Sequence, residues 1–399
     1  MAANVFGFAA RSAIGATSVL LASEMLANDA FAGVPAAVAT LGTAIAAISL
    51  ALRSKRRGRR SGVLLGYMIA ILGAGVGLVA GQAGIFWIFV IGVGLIGAGQ
   101  ASNLQNRFAA ADLADEHHRA REISMVVWVG TVGAVVGAPM ALWVNQVGVG
   151  LGMSQWVSPL ALGFAGFLIA GAIVSIFLRP DPLVLAGGVD PDAPRQNPLH
   201  GIQESWGTIW PNLSARLAIG AMAVSQMAMV AIMAMTPLHM KDHGQAELST
   251  LVIAVHVFGM FGLAPLIGRW ADRNGRVKAI KVGAVVLGGG ALVAVIAGYV
   301  PSLVFLGLFL VGVGWNFAFI SGSALLTESV PKSDQVGAQG LSDVMMSILG
   351  ATAAFSSGVI KAIAGYGWLA VFAMVAAVLV LAAAVYVDQV QRLSTEAAV

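Results

Sequence analysis

Methionine and histidine recur at four-residue spacing in one part of this 399-residue chain. Six of the nineteen residues from 222 to 240 are methionine, against ten in the other 380. Met229 and Met233 are four residues apart, as are His256 and Met260, and residues at this spacing lie on one face of an α-helix. Thioether sulfur and neutral imidazole nitrogen bind soft or borderline metal ions, above all Cu(I), and hold hard ions such as Mg²⁺ poorly. The spacing therefore indicates a soft-metal site built from two helices.

The same residues are predicted to lie at one depth in the molecule. A short loop joins the two hydrophobic stretches that carry them, and a rise of 1.5 Å per residue puts Met229 and His256 about 15 Å from that loop. Met235, His239 and His243 continue the spacing up to the loop and predict an access path for the ion. Methionine also fills gaps in helix packing, and a buried histidine can simply hydrogen-bond an oxygen. The coincidence of two pairs at one depth favours the metal site.

Membrane-spanning helices must position these residues. The chain is 58% hydrophobic and 10% charged, whereas soluble domains carry about 25% charged residues. Because a helix needs about 20 apolar residues to cross a bilayer, the sequence predicts twelve spans, the first of which contains Arg11 and Glu24. The absence of cysteine excludes disulfides and thiolate metal sites. Since no nucleophile, base and orienting group and no phosphate-binding loop occur, we do not expect an enzyme.

Positive charges indicate which side of the membrane each loop occupies. One group of cations follows the second span and another follows the eighth: Arg53, Lys55, Arg56, Arg57, Arg59 and Arg60, and Arg269, Arg273, Arg276, Lys278 and Lys281. The opposite loops hold only Lys241 and Lys361. By the positive-inside rule both termini are predicted to be cytoplasmic, and the net charge of +4 needs no nucleic acid to explain it. We expect a multi-pass protein of a bacterial inner membrane whose first span is retained rather than cleaved.

Two similar halves are predicted. They cover residues 1–180 and 213–399, and a loop at 181–212 rich in proline, glycine and aspartate separates them. Gly97-Ala98-Gly99 in span four corresponds to Gly312-Val313-Gly314 in span ten. Internal repeats of this kind are typical of transporters that work by alternating access around a midplane site.

The junction between spans eight and nine carries a recognisable motif, Gly268-Arg269-Trp270-Ala271-Asp272-Arg273-Asn274-Gly275-Arg276. It resembles the G-x-x-x-D-R-x-G-R loop signature of the major facilitator superfamily, which implies twelve helices in two pseudo-symmetric six-helix bundles. Asp272 can cap or neutralise a helix N-terminus, while the arginines hold neighbouring helix ends and lipid head groups. In the first half Lys55 stands where the acid should be, so we expect a weakened or differently paired contact there.

The methionine and histidine pairs carry a narrower resemblance. M-x-x-x-M in span seven followed by H-x-x-x-M in span eight resembles the CcoA-like (CalT) group of bacterial copper importers within this superfamily. The resemblance implies that Met229, Met233, His256 and Met260 bind copper during uptake and that the copper serves assembly of a cbb3-type cytochrome oxidase. Copper would then be a transported substrate rather than a cofactor, and we expect the chain to work as a monomer in the lipid bilayer. Some members of the group also have cysteines, which this chain lacks.

Acidic residues in the spans leave other functions open. Asp343 in span eleven and Glu24 near the outer end of span one are candidates for carrying a coupling proton, with an interhelical hydrogen bond as the alternative. For Glu328 we expect an interhelical hydrogen bond or a pair with a loop arginine instead. Proton-coupled export of a drug or small metabolite is therefore the competing function, although span four has no arginine just before its Gly-x-Gly. A metal sensor or assembly factor that transports nothing is a third hypothesis.

Overall fold

The structure, a computed structural model, describes residues 1–26, 34–192, 197–245 and 248–396. Within those ranges every regular element is a helix. Twelve of the described helices are long and apolar enough to cross a bilayer. This confirms the prediction of an all-helical chain with twelve spans. Residues 193–196 of the predicted central loop lie outside the described residues.

The first compact unit comprises residues 1–113, 129–205 and 332–347. Its helices are α1 Ala2–Leu26, α2 Val34–Arg57, α3 Arg59–Gln82, α4 Phe86–Ala111, most of α5 Arg119–Gly150, α6 Ser158–Phe177, the short α7 Pro182–Leu185, most of α8 Pro198–Ile209 and the first half of α14 Lys332–Ala364. The core includes the fully buried rings of Tyr67, Phe89 and Phe167. A Cβ on Gly92 of α4 would lie 2.6 Å from the backbone nitrogen of Gly77 in α3, so glycine allows these two helices to pack closely.

The second compact unit comprises residues 114–128, 206–331 and 348–399. Its main helices are α9 Leu213–Asp242, α10 Ser249–Val257, α11 Ala264–Asn274, α12 Arg276–Ala297, α13 Pro301–Ser329 and α15 Tyr366–Glu396, joined by the first turns of α5 and the second half of α14. Helices α9 and α12 each pack against both α13 and α15. Pro301 begins α13, a position where its missing N–H leaves no hydrogen bond unmade.

The eighth span is not one continuous α-helix. After α10 ends at Val257, the five residues Phe258–Gly262 form a π-helical turn before α11 begins. Glycine is a weak helix former, and Pro265 in the first turn of α11 has no N–H to donate. Met260 lies within this π turn, so the segment from His256 to Met260 is not α-helical throughout, as the four-residue spacing had suggested. Such turns are rare and occur frequently at functional sites.

Candidate functional site

His256 is the most deeply buried ionisable side chain of span eight. Its imidazole is completely buried in the second unit, with Nδ1 2.7 Å from the backbone oxygen of Leu308 in α13. Because a carbonyl oxygen can only accept, Nδ1 donates the hydrogen, and the neutral ring carries its lone pair on Nε2. Nε2 is also buried and has no hydrogen-bond partner among the described residues. An unsatisfied buried acceptor costs about 1–3 kcal/mol, so this nitrogen is suited to a ligand.

The position of His256 depends on a close approach to α13. A Cβ on Gly312 would lie 2.6 Å from the backbone oxygen of His256 and 3.0 Å from the backbone nitrogen of Met260. Any larger residue would push the span-eight segment away from α13. Gly312, the first glycine of the Gly-x-Gly in span ten, therefore helps to position two of the four predicted ligands.

Burial and ligand chemistry differ among the methionines. Met229 is 2% exposed and Met260 is 8% exposed, whereas Met233 is only partly buried. In the described parts of the chain, no group of three or more histidine, aspartate or glutamate side chains could hold a metal ion. A metal at this position would therefore depend on thioether sulfur together with the imidazole.

Two hydrogen bonds join α9 to α13 and to the residue just before α13. The indole Nε1 of Trp315 donates to Oε1 of Gln226 at 2.7 Å. Further along α9, Nε2 of His239 lies 2.6 Å from the backbone oxygen of Gly298, just before α13. The methionine pair of α9 lies between these contacts, and the backbone partner of His256 lies between them on α13. That the ligands of α9 and of span eight meet in one site stays a prediction.

The residues predicted to form an access path have other partners. The rings of His239 and His243 lie 4.5 Å apart, and His239 stacks on Tyr366 at 4.1 Å between ring centroids. Nδ1 of His243 lies 2.8 Å from the backbone oxygen of His239. Met235 is partly buried. Stacking and backbone hydrogen bonds account for both histidines at this end of α9, and the access path stays a prediction.

Asp272 of the loop signature caps a helix. Its carboxylate accepts hydrogen bonds from the backbone nitrogens of Ala120 at 3.0 Å and Arg121 at 2.9 Å, in the first turn of α5. A carboxylate at this end of a helix satisfies free N–H groups and is favoured by the helix dipole. A Cβ on Gly268 would meet the backbone oxygen of Ala120 at 2.7 Å, so that glycine permits the contact. Arg273 is exposed.

Arg276 is the centre of a charged network at the same junction. Its guanidinium lies 2.7 Å from Asp272 and 3.0 Å from Glu328. Arg119 is 3.6 Å from Glu328, so that carboxylate pairs with two arginines. Gly275, with a φ of 93°, ends α11 and directs the chain into α12. The signature thus links the ends of α5, α11, α12 and α13 within the second unit.

The first half has a related charged network, in which a different residue caps the helix. Arg59, which corresponds to Arg276, binds both carboxylate oxygens of Asp112 at 2.8 and 3.0 Å, and both side chains are 1% exposed. Lys55 cannot cap a helix as Asp272 does. Asp181, which follows α6, instead accepts from the backbone nitrogens of Arg59 and Arg60 and so caps α3. Arg59, which the sequence analysis names only among the cations that mark one side of the membrane, is therefore a buried structural cation.

A buried ion pair joins α4 to the first half of α14 in the first unit. Nη2 of Arg107 donates to Oδ1 of Asp343 at 2.6 Å, and neither side chain is more than 1% exposed. Oδ2 of Asp343 has no hydrogen-bond partner in the described structure. Arg107 was not among the predicted functional residues, although an arginine just inside the end of an apolar span needs a partner. Glu24 is exposed in α1, and a coupling role for either acid stays a prediction.

Comparison with known proteins identifies the family. The model of the Major Facilitator Superfamily matches residues 1–353 and 217–396. The chain belongs to the major facilitator superfamily. Members of this family are transporters and not enzymes, so the chain is a multi-pass transporter of a small substrate, as the loop signature predicted.

Relatives and solved structures are consistent with this membership. The chain is 35% identical over 383 residues to the uncharacterized MFS-type transporter YddS of Bacillus subtilis, covering 95% of this chain and 87% of the relative. It is 30% identical over 370 residues to the riboflavin transporter RfnT of Brucella anthropi, covering 90% and 88%. The structure of the proton:xylose symporter XylE matches with a TM-score of 0.75 at 16% identity, covering 97% of this chain and 93% of XylE. That last likeness shows the fold alone.

The Asp343 to Arg107 ion pair predicts a stability difference. Asp343→Ala leaves a buried guanidinium without its counter-charge, at an expected cost of about 3–5 kcal/mol, and should lower the melting temperature in detergent. Arg107→Met combined with Asp343→Leu should recover most of the loss, because apolar residues can replace a buried pair. The exposed Glu24→Ala is the control and should melt like the wild type. Equal melting of Asp343→Ala and wild type would contradict the pair.

Proposed function

We propose that the chain imports copper, as Cu(I) or a small copper complex, by alternating access through Met229, Met233, His256 and Met260. The observation that carries the proposal is the buried Nε2 of His256, which has a lone pair and no described partner. Its other ring nitrogen donates to a backbone carbonyl. Histidines that bind metals commonly donate their second N–H to a carbonyl or carboxylate, which orients the free nitrogen and raises its basicity.

The four proposed ligand side chains favour a soft ion of low charge. Thioether and imidazole groups are neutral, and they select Cu(I) rather than Mg²⁺ or Ca²⁺. Neutral ligands leave the charge of the ion uncompensated, so the ion should leave more easily than from a thiolate site. That property suits passage more than storage. Copper is accordingly the substrate, and the proposal needs no resident cofactor.

Copper is proposed to move into the cytoplasm and to serve one assembly process. With both termini in the cytoplasm of a bacterial inner membrane, copper passes inward through a monomer and supplies the assembly of a cbb3-type cytochrome oxidase. The resemblance of the two short motifs to CcoA-like importers supports this part. The family membership is compatible with it, because superfamily members are transporters.

Uptake of radioactive copper tests the proposal. In cells that lack their own importer, the chain should raise copper uptake, and the double variant His256→Ala, Met260→Ala should abolish that gain. Met229→Leu with Met233→Leu removes two sulfurs at nearly constant volume, and uptake should fall about tenfold or more. All variants are compared at matched membrane levels.

Met346→Leu is the matched control, because Met346 is also buried, at 5% exposure, but lies in the first unit. It should import copper like the wild type. Normal uptake by the His256→Ala, Met260→Ala variant would overturn the proposal. Copper binding by the purified chain without flux into liposomes would indicate a sensor or assembly factor instead.

Transport of a flavin is a second candidate, in the class of small organic substrates. The relationship to RfnT supports it, as does an aromatic cluster that includes Phe261 of the π turn. Trp315 stacks on Phe319 at 4.7 Å between centroids and meets Phe261 edge-on at 5.5 Å. Flat aromatic surfaces of this kind favour stacking with a planar ring system. The free Nε2 of His256 could accept a hydrogen bond from the imide N–H of a flavin.

Trp315→Ala distinguishes the two candidates. If the chain carries copper, this variant should keep most copper uptake, because Trp315 supplies no soft ligand, and riboflavin uptake should stay at the background of the host. The measurement is riboflavin and copper uptake by the same cells. Riboflavin uptake that falls with Trp315→Ala and survives Met229→Leu with Met233→Leu would replace copper by a flavin.

A further inference from the structure

A cleft in the first unit combines positive charge with an apolar wall. It has a volume of about 620 Å³ and lies where α2, α3 and the segment after α6 meet. Its lining consists of Arg53, Arg57, Arg60, Ser61, Leu64, Leu65, Met68, Arg179, Pro180, Asp181 and Val184. We propose that this cleft binds one anionic phospholipid, with the phosphate among the arginines and an acyl chain along α3.

Among the described residues, the positive charge of the cleft exceeds the negative charge that lines it. Four arginines line it against one carboxylate, that of Asp181. Both oxygens of Asp181 already accept hydrogen bonds from backbone nitrogens at the starts of α3 and α7. Arg57 and Arg179 are exposed and have no ion-pair partner among the described residues. A phosphate group therefore finds guanidinium donors that the protein leaves free.

Part of the arginine cluster is held in place. Nε of Arg53 donates to both the backbone and the hydroxyl oxygen of Ser61, at 3.2 and 3.0 Å. Nη1 of Arg60 donates to the backbone oxygen of Ser175 at 3.3 Å. These contacts fix two cations at the wall, while the two free arginines can close over a head group.

The apolar wall has the length of one leaflet. From Arg60 to Leu72 the chain rises about 18 Å along α3, and half of the hydrocarbon core is about 15 Å deep. Met68 is 57% exposed and Leu72 is 61% exposed, so both side chains are open to a chain beside them. Met68 also lines an apolar groove that continues along α3 past Gly75. A lipid bound at the arginines would thus keep its acyl chain on apolar side chains.

Arginines that have no ion-pair partner among the described residues, beside an apolar wall, favour an anionic lipid over other ligands. A free phosphate or an acidic peptide would use the arginines and leave the apolar wall without a role. A zwitterionic lipid would use the wall but would bring no net charge to the uncompensated cations. Cations at the end of a membrane span attract anionic lipids of the predicted cytoplasmic leaflet. Phosphatidylglycerol carries both required parts and is the probe for the test.

Native mass spectrometry of the full chain in mild detergent measures the bound lipid. The wild type should retain phosphatidylglycerol and prefer it to phosphatidylcholine of the same acyl chains. Arg57→Gln with Arg179→Gln should lower the retained phosphatidylglycerol about tenfold or more. Arg121→Gln with Lys278→Gln removes the same charge from exposed positions in the second unit and should leave retention unchanged.

Met68→Trp tests the apolar wall without a change of charge. It should reduce retention of long-chain phosphatidylglycerol, whereas Leu292→Trp, at an exposed apolar position of α12, should not. Equal retention of the two lipids by the wild type would identify an ordinary boundary lipid and overturn the proposal. Equal displacement of the lipid by glycerol phosphate would identify a phosphate site, and a dimer that excludes lipid would identify a second copy as the occupant. Each of these results would also overturn the proposal.

Discussion

The hydrogen bond from Nδ1 of His256 to the backbone oxygen of Leu308 organises the centre of the second unit. In a bilayer there is no water to satisfy polar groups, so each must find its partner within the protein. Gly312 allows the close approach that this bond requires, and the π turn after Val257 follows directly in the chain. One ring nitrogen is thereby held and the other is left free. A ligand that binds the free nitrogen replaces an unsatisfied buried group by a satisfied one.

At the helix ends, charged side chains provide the partners that buried polar groups need. Arg276 and Arg59 occupy matching places in the two halves, and each binds a carboxylate at the end of a neighbouring helix. The caps differ, because Asp272 serves α5 in the second unit while Asp181 serves α3 in the first. The repeat therefore conserves the buried arginine contact more closely than the capping acid. The freedom of Arg57 and Arg179 follows, since Asp181 is engaged by backbone nitrogens.

The fold could be predicted because span number follows from composition, and the family follows from the loop signature. The π turn that contains Met260, by contrast, could not be predicted, because four-residue spacing cannot reveal an extra residue in a helical turn. Arg107 and Asp343 are 236 positions apart, so their pairing follows from tertiary packing and not from local pattern. The burial of Arg59 could not be predicted either, because positive charge alone does not show whether a side chain is buried. The common depth of the methionines and His256 follows from counting the helical rise alone, and it stays a prediction.

Copper binding through Nε2 of His256 and the thioether sulfurs is the central feature of the proposed function. X-ray absorption at the copper edge tests this directly, on the purified full chain loaded with Cu(I) without oxygen. The predicted spectrum contains sulfur and imidazole scattering, with the imidazole contribution lost in His256→Ala and the sulfur contribution reduced in Met229→Leu with Met233→Leu. If the wild type retains no copper, or if its spectrum and that of His256→Ala coincide, the account is contradicted.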